Sequence, residues 1–429
     1  MTTDTPIRPP APAGFDPFSQ DFLADPLAFW QEARANPVFF YEPLRCWVLS
    51  GHADVTNAFK NWQTFSSRVL RVAPLPEDTR VPIETREILT NLMDHAIINM
   101  DPPEHTVHRK STQKAFTRPL VTASEPMIRG LANELIDAFV DSGECDLVGD
   151  YFHKLTIGVI VRMAAMPEEI LPRFRGWIDD LQGLMTLQQF GDDDEPTQLP
   201  APVEVLEERY VRVAEAYPTF KAYLDDRRAD PRDDLASAML QATNDDGTPA
   251  MSYDHILGHI VGLAVAGSET TTGLMGQLVR LFSDRPEVLE EIGADPDLWD
   301  NAIEEGLRRW AVVNNLLRVT TADVEVAGIT IPARSPVLLN VAGANSDAAV
   351  FDDPLAFDLH RANRADHLGF GLGRHFCSGA PLARLEARCA LEELYRRIPD
   401  LHVVADQPLE YKPAVTVRGL KRLLVRWSA

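Results

Sequence analysis

Residues 370–379 read Phe370-Gly371-Leu372-Gly373-Arg374-His375-Phe376-Cys377-Ser378-Gly379. Three glycines and a cysteine, followed by an Ala/Leu-rich run, describe a tight loop that delivers Cys377 to a helix N-terminus. The helix dipole and nearby backbone N–H groups are expected to lower the thiol pKa there. Read alone, the segment allows other roles. Cys377 could be a small buried apolar side chain. A dinucleotide loop is opposed by Phe376 at the third glycine position and by the lack of a clean strand before Gly371. A nucleophile paired with His375 has no second supporting residue.

The chain has 429 residues and a net charge of −23, with 45% apolar and 24% charged residues. That balance suits a globular protein with a large core and argues against nucleic-acid or anionic-membrane partners. No apolar run approaches the roughly 18–20 residues that span a bilayer. The N-terminus shows no basic start followed by an apolar stretch, so no signal peptide is expected. Cysteines at 46, 145, 377 and 389 form no C-x-x-C pair, which disfavours a zinc ribbon and a thioredoxin-type site. A reduced, cytoplasmic setting follows as the expectation.

Helical periodicity dominates over 26–36, 123–142, 203–228, 253–283, 297–311 and 381–397. Strand patterns are short: 45–49, a hairpin of 324–331 with 337–341, 401–405 and 423–427. A mainly α fold with a smaller β region is expected, and no βαβ alternation. Residues 1–14 read as a disordered, proline-rich leader, and 15–429 as a single domain. The acidic, proline-containing stretch 191–202 reads as an exposed loop or a lid over a pocket.

The cysteine segment has the form F-G-x-G-x-H-x-C-x-G and resembles the haem-binding loop of the cytochrome P450 family. The resemblance covers the chain from about Phe15 to Trp427. It implies the P450 fold and haem b (iron protoporphyrin IX) as cofactor, with Cys377 as the thiolate ligand of its iron. Phe370 and Gly371 would lie against the haem and His375 at a propionate. An anionic sulfur donates electron density to iron and favours O–O cleavage. Ala266-Gly267-Ser268-Glu269-Thr270 is similar to the family's distal-helix signature. It implies close approach to the haem at Ala266 and Gly267, and a catalytic pair, Thr270 and Glu269, that delivers protons on the oxygen side. His105 and Arg109, spaced i, i+4 in a D-P-P-E-H-x-x-x-R segment, join Arg318 and His375 as implied propionate partners. Glu305 and Arg308 match the family's E-x-x-R pair, with Arg361 as its third, structural member.

The resemblance implies a haem-thiolate monooxygenase that inserts one atom of O2 into a small organic substrate, by hydroxylation or O-dealkylation. A peroxide-driven peroxygenase and a non-enzymatic haem sensor are the alternatives. The pocket is expected to draw on Gly262, Val265, Asn314, Leu316, Leu184, Leu187, Val415 and Thr416. Val313 stands where the family usually carries proline. Segments 65–68 and 417–420 resemble those of bacterial P450s acting on small aromatic compounds. Electrons are expected from an iron–sulfur ferredoxin with its reductase, docking on Arg109, Lys110, Lys114, Arg118, Arg374 and Arg384. The chain is expected to act as a monomer.

Overall fold

The computed structural model describes residues 8–69, 72, 74–186, 202–244, 246–412 and 415–428. Its spine is the helix Tyr253–Asp284, here the central helix, about 48 Å long at 1.5 Å per residue. Ser252 caps it by accepting from His255 N, and Pro286, at the first position of the next helix, marks where the chain turns away. Apolar residues on all sides bury it. Its C-terminal half packs Leu274, Leu278 and Phe282 with the helix Ala380–Arg397, which follows the cysteine loop. Its N-terminal half packs Ile260, Val261 and Ala264 against helices Leu171–Thr186 and Val203–Ala229. Helix His153–Met163 lies along its flank.

The larger sheet runs Val38–Tyr41, Cys46–Leu49, Pro336–Asn340, Asn315–Thr320, Phe65–Ser66. Here the expected hairpin is corrected. Val324–Val326 pairs with Ile329–Ile331, turning on Ala327-Gly328. Pro336–Asn340 instead runs parallel to Cys46–Leu49 and antiparallel to Asn315–Thr320. The segment's largely apolar character fits a central strand buried on both faces, which turn signals alone do not reveal. The register sets Arg318 opposite Val337, so the sheet carries this cation into the interior. A second sheet, Glu144–Asp146, Leu424–Arg426 and His402–Val403, closes the far side.

The leader is also corrected over its described part. Phe40 N donates to Pro9 O at 2.7 Å, and the Arg8 guanidinium lies 4.4 Å from the Phe40 ring centroid. This part of the leader is thus tied to the sheet edge.

A buried ion cluster locks the segment leading to the cysteine loop. Arg308 forms a bidentate pair with Glu305 at 2.7 and 2.8 Å, and Arg361 Nε donates to Glu305 Oε1 at 2.9 Å. Both guanidiniums also donate to carbonyls of residues 345–356, including Pro354, Asp352 and Ala356. All three side chains are buried. Glu305→Gln leaves two buried guanidiniums facing a neutral amide. The expected loss is about 3–5 kcal/mol, read as a lower urea midpoint. Breaking the exposed Arg426–Glu144 pair is expected to shift the midpoint little.

Candidate active site

Cys377 sits where the loop turns into the helix Ala380–Arg397. Gly371 and Gly373 hold φ of +66° and +71°, and a Cβ on Gly373 would stand 2.8 Å from Phe59 O. Only glycine meets both demands cheaply. The turn is closed by Cys377 N donating to Phe370 O at 2.9 Å. Phe370 packs on the main core, with the Arg384 guanidinium 4.5 Å from its ring centroid.

The expectation of a lowered thiol pKa is corrected. Burial pushes the Cys377 thiol up, and this outweighs the backbone N–H groups of Gly379 and Ala380 and the charges of Arg109 and Arg384. A cation bonded to that sulfur would favour the thiolate, which the same N–H groups would then temper.

Beside the loop lies a group of basic side chains with little negative charge to meet them. His105 is buried, and neither ring nitrogen has a hydrogen-bond partner among the described residues; the same holds for Arg109 Nε. The His105 and His375 rings stand 4.1 Å apart. Arg109 donates to Phe376 O at 2.5 Å, and His375 Nε2 lies 3.0 Å from Met100 O and 3.1 Å from Ser67 Oγ. Arg318 is 5% exposed, and among the described residues its guanidinium donates to its neighbour's carbonyl, Leu317 O. Burial lowers Arg318 to about 10 against the charge of Asp101. Burial and then Arg109 lower His105 to about 4; burial and then Arg318 lower His375 to about 3. Orphaned donors and buried cations of this kind call for an anion with several oxygens. The two propionates of haem fit that requirement, and the sulfur beside them fits its iron.

On the central helix, Thr270 Oγ1 donates to Ala266 O at 2.8 Å. A Cβ on Gly267 would meet Ile160 Cδ1 at 2.7 Å, so the missing side chain admits the helix His153–Met163. Glu269 is 2% exposed and held from two sides: His153 Nε2 at 2.9 Å and Lys412 Nζ at 2.6 Å. Lys412 also reaches Asp179 at 2.8 Å. Burial raises the Glu269 carboxyl, but His153 and Lys412 overcome it and hold the group at about 2.

Among the expected pocket residues, Val265 lines an apolar pocket with Val261 and Ala264 on one side and Phe174, Ile178 and Val213 on the other. Gly262 leaves space: a methyl placed on it would have only Ala96 Cβ beside it, at 4.0 Å. Leu316 lies against the cysteine loop, its Cδ1 3.7 Å from a Cβ placed on Gly371. Asn314 N donates to Thr416 O at 2.9 Å, while Asn314 Oδ1 is buried without a partner among the described residues. Leu184 and Val415 are buried in apolar clusters, away from open space. Leu187 and residues 191–201 lie outside the described residues. Arg418, in the segment likened to aromatic-substrate enzymes, is buried and donates to Leu23 O and Ala24 O, which makes it a strut. Arg68 pairs with Glu104 at 2.7 Å. Sequence reasoning missed His153 and Lys412, because single basic residues far from the central helix carry no local pattern. It also missed Glu386, which burial pushes well above the ordinary carboxyl range, partly opposed by Thr271.

A family model described as Cytochrome P450 matches residues 82–398. The chain is 32% identical over 416 residues to the cytochrome P450 monooxygenase PikC of Streptomyces venezuelae, covering 95% of this chain and 92% of that one. It is 37% identical over 332 residues to the steroid C26-monooxygenase of Mycobacterium tuberculosis (strain CDC 1551 / Oshkosh), covering 77% and 85%. A solved cytochrome P450 structure from Chondromyces apiculatus matches with a TM-score of 0.80 at 32% identity, covering 97% of this chain and 98% of that one.

Glu304 is a second depressed carboxyl near the loop. Burial raises it, but His367 and Arg384 hold it at about 2. Both Glu269 and Glu304 fall from an ordinary 4.5. Their stabilisation is complete above that value and is lost as pH falls from 4.5 toward 2. An acid titration of the melting temperature is expected to fall across this window, and Glu304→Gln is expected to flatten it.

Proposed function

We propose a function from one established premise: the chain belongs to the cytochrome P450 family. It is a haem-dependent monooxygenase with the overall reaction R–H + O2 + 2 e⁻ + 2 H⁺ → R–OH + H2O. The carrying observation for the site is geometric: the glycine loop sets Cys377 beside Arg109, the buried Arg318 and the partnerless ring of His105, a group of donors short of an anion. Cys377 ligates the iron, and the four basic residues hold the propionates. When bound through a thiolate, the haem supplies O2 activation and transfer of one oxygen atom.

The chain's own residues manage substrate and protons. Thr270 Oγ1 has committed its proton to Ala266 O. Its oxygen is left to accept a hydrogen bond, and so to hold a water on the distal side. Glu269, held at about 2, is ionised across the working range. Paired with His153 and Lys412 next to Thr270, it is the group we assign to passing protons toward that side. This pairing supports the O2-dependent reaction over a peroxide-driven one. The apolar and aromatic lining of Val265, Phe174 and Val213 supports an apolar organic substrate.

Electrons come from a separate iron–sulfur ferredoxin with its reductase. On the face outside the cysteine loop, Lys110, Arg118 and Arg374 are exposed, with Phe376 41% exposed among them. Arg109 turns inward and Arg384 is engaged by Glu304, so those two leave the expected patch; the Lys114 side chain lies outside the described residues. Four free cysteines support a cytoplasmic setting. Among the described residues, no helix is long and apolar enough to cross a membrane. The protein is expected to act as a monomer.

The test of function is the reduced, carbon-monoxide-bound holoenzyme. It is expected to show the red-shifted Soret band of thiolate ligation, and Cys377→His is expected to abolish it. In the same preparation Thr270→Ala is expected to keep consuming reductant while releasing peroxide in place of product. Full coupling in that variant would remove Thr270 from its role. Lys110→Glu with Arg118→Glu is expected to slow ferredoxin reduction roughly tenfold at low ionic strength and to flatten its salt dependence. Stopped-flow reduction at several salt concentrations measures both.

A further inference from the structure

His105 and Arg109 face the cysteine loop, but the row beside them on the helix Glu104–Thr112 does not. Glu104 and His108 stand i, i+4 there and meet His255 and His259, also i, i+4, on the central helix. Pairs of this spacing on two facing helices are a recurring scaffold for holding a metal ion. Atoms of Glu104, His108 and His255 lie within 4.8 Å of one another, and His255 Nε2 stands 3.2 Å from Glu104 Oε1.

The other polar atom of each side chain is already engaged. His108 Nδ1 lies 3.0 Å from His259 Nε2, and His255 Nδ1 lies 2.8 Å from Ser252 Oγ. Glu104 Oε2 accepts from Arg68 at 2.7 Å. Such outer partners fix ring orientation and tautomer in metal-ligating histidines. They leave His255 Nε2 and Glu104 Oε1 facing each other beside the His108 ring, with room for an ion among them. His95 packs its ring 4.5 Å from that of His255, with its Nδ1 bonded to Asn91 O at 2.8 Å.

We propose that Glu104, His108 and His255 bind one divalent zinc-class cation, with a water as the fourth ligand. Two imidazoles and a carboxylate are a zinc-type donor set. Ligands about 2.0–2.1 Å from zinc stand roughly 3.4 Å apart. Small rotations of the Glu104 and His255 side chains, both partly exposed, close the set to that spacing. The ion would staple the start of the helix Glu104–Thr112 to the central helix, through residues other than those assigned to the haem.

The test uses the haem-loaded enzyme, stripped with a chelator and titrated with zinc chloride in a calorimeter. One equivalent is expected to bind with micromolar or tighter affinity and to raise the melting temperature. His255→Ala and Glu104→Gln are each expected to weaken binding by at least about tenfold. His402→Ala, an exposed histidine elsewhere, is expected to leave it unchanged. An unaltered haem spectrum in each variant establishes that it has folded. Absence of saturable binding, or affinity that survives both His255→Ala and Glu104→Gln, would overturn the proposal.

Discussion

A buried guanidinium and side chains left without partners, gathered beside one loop, govern this molecule. Arg318 enters the interior on a strand, His105 and the half-buried Arg109 stand on a helix, and His375 stands on the cysteine loop. Burial keeps the two imidazoles neutral, and Arg318 carries the cost of an enclosed cation. The rest of the architecture holds these groups in place. The sheet register fixes Arg318, and the Glu305–Arg308–Arg361 cluster anchors the chain that leads to the loop.

Much of this is legible in the sequence because the decisive chemistry is local. The cysteine loop, the Glu305–Arg308 spacing and the His105–Arg109 spacing each fall within one element. Contiguous sequence therefore carries both the residue types and their geometry. The long helices are readable for the same reason: their apolar period repeats over many turns, as in Tyr253–Asp284.

What escapes reading depends on distant pairing. Turn signals draw Pro336–Asn340 into a hairpin with its sequence neighbour, but its partners are Cys46–Leu49 and Asn315–Thr320. Helix position predicts an acidified Cys377 thiol. The cost of enclosing a thiolate outweighs that dipole, a balance set by neighbours that no local pattern displays. The close approach of Ile160 to Gly267 likewise comes from a separate helix and leaves no mark in the local sequence. The histidine cluster unites residues more than 140 positions apart, so only the packing of two helices brings it into view.

Lys412 ties two parts of the interior together. One ammonium serves two carboxylates, Glu269 on the central helix and Asp179 on the helix Leu171–Thr186. The second of these helices forms a wall of the apolar pocket through Phe174 and Ile178. The pocket wall and the enclosed carboxylate of the central helix therefore share a counter-ion, lent by a single side chain from the C-terminal segment.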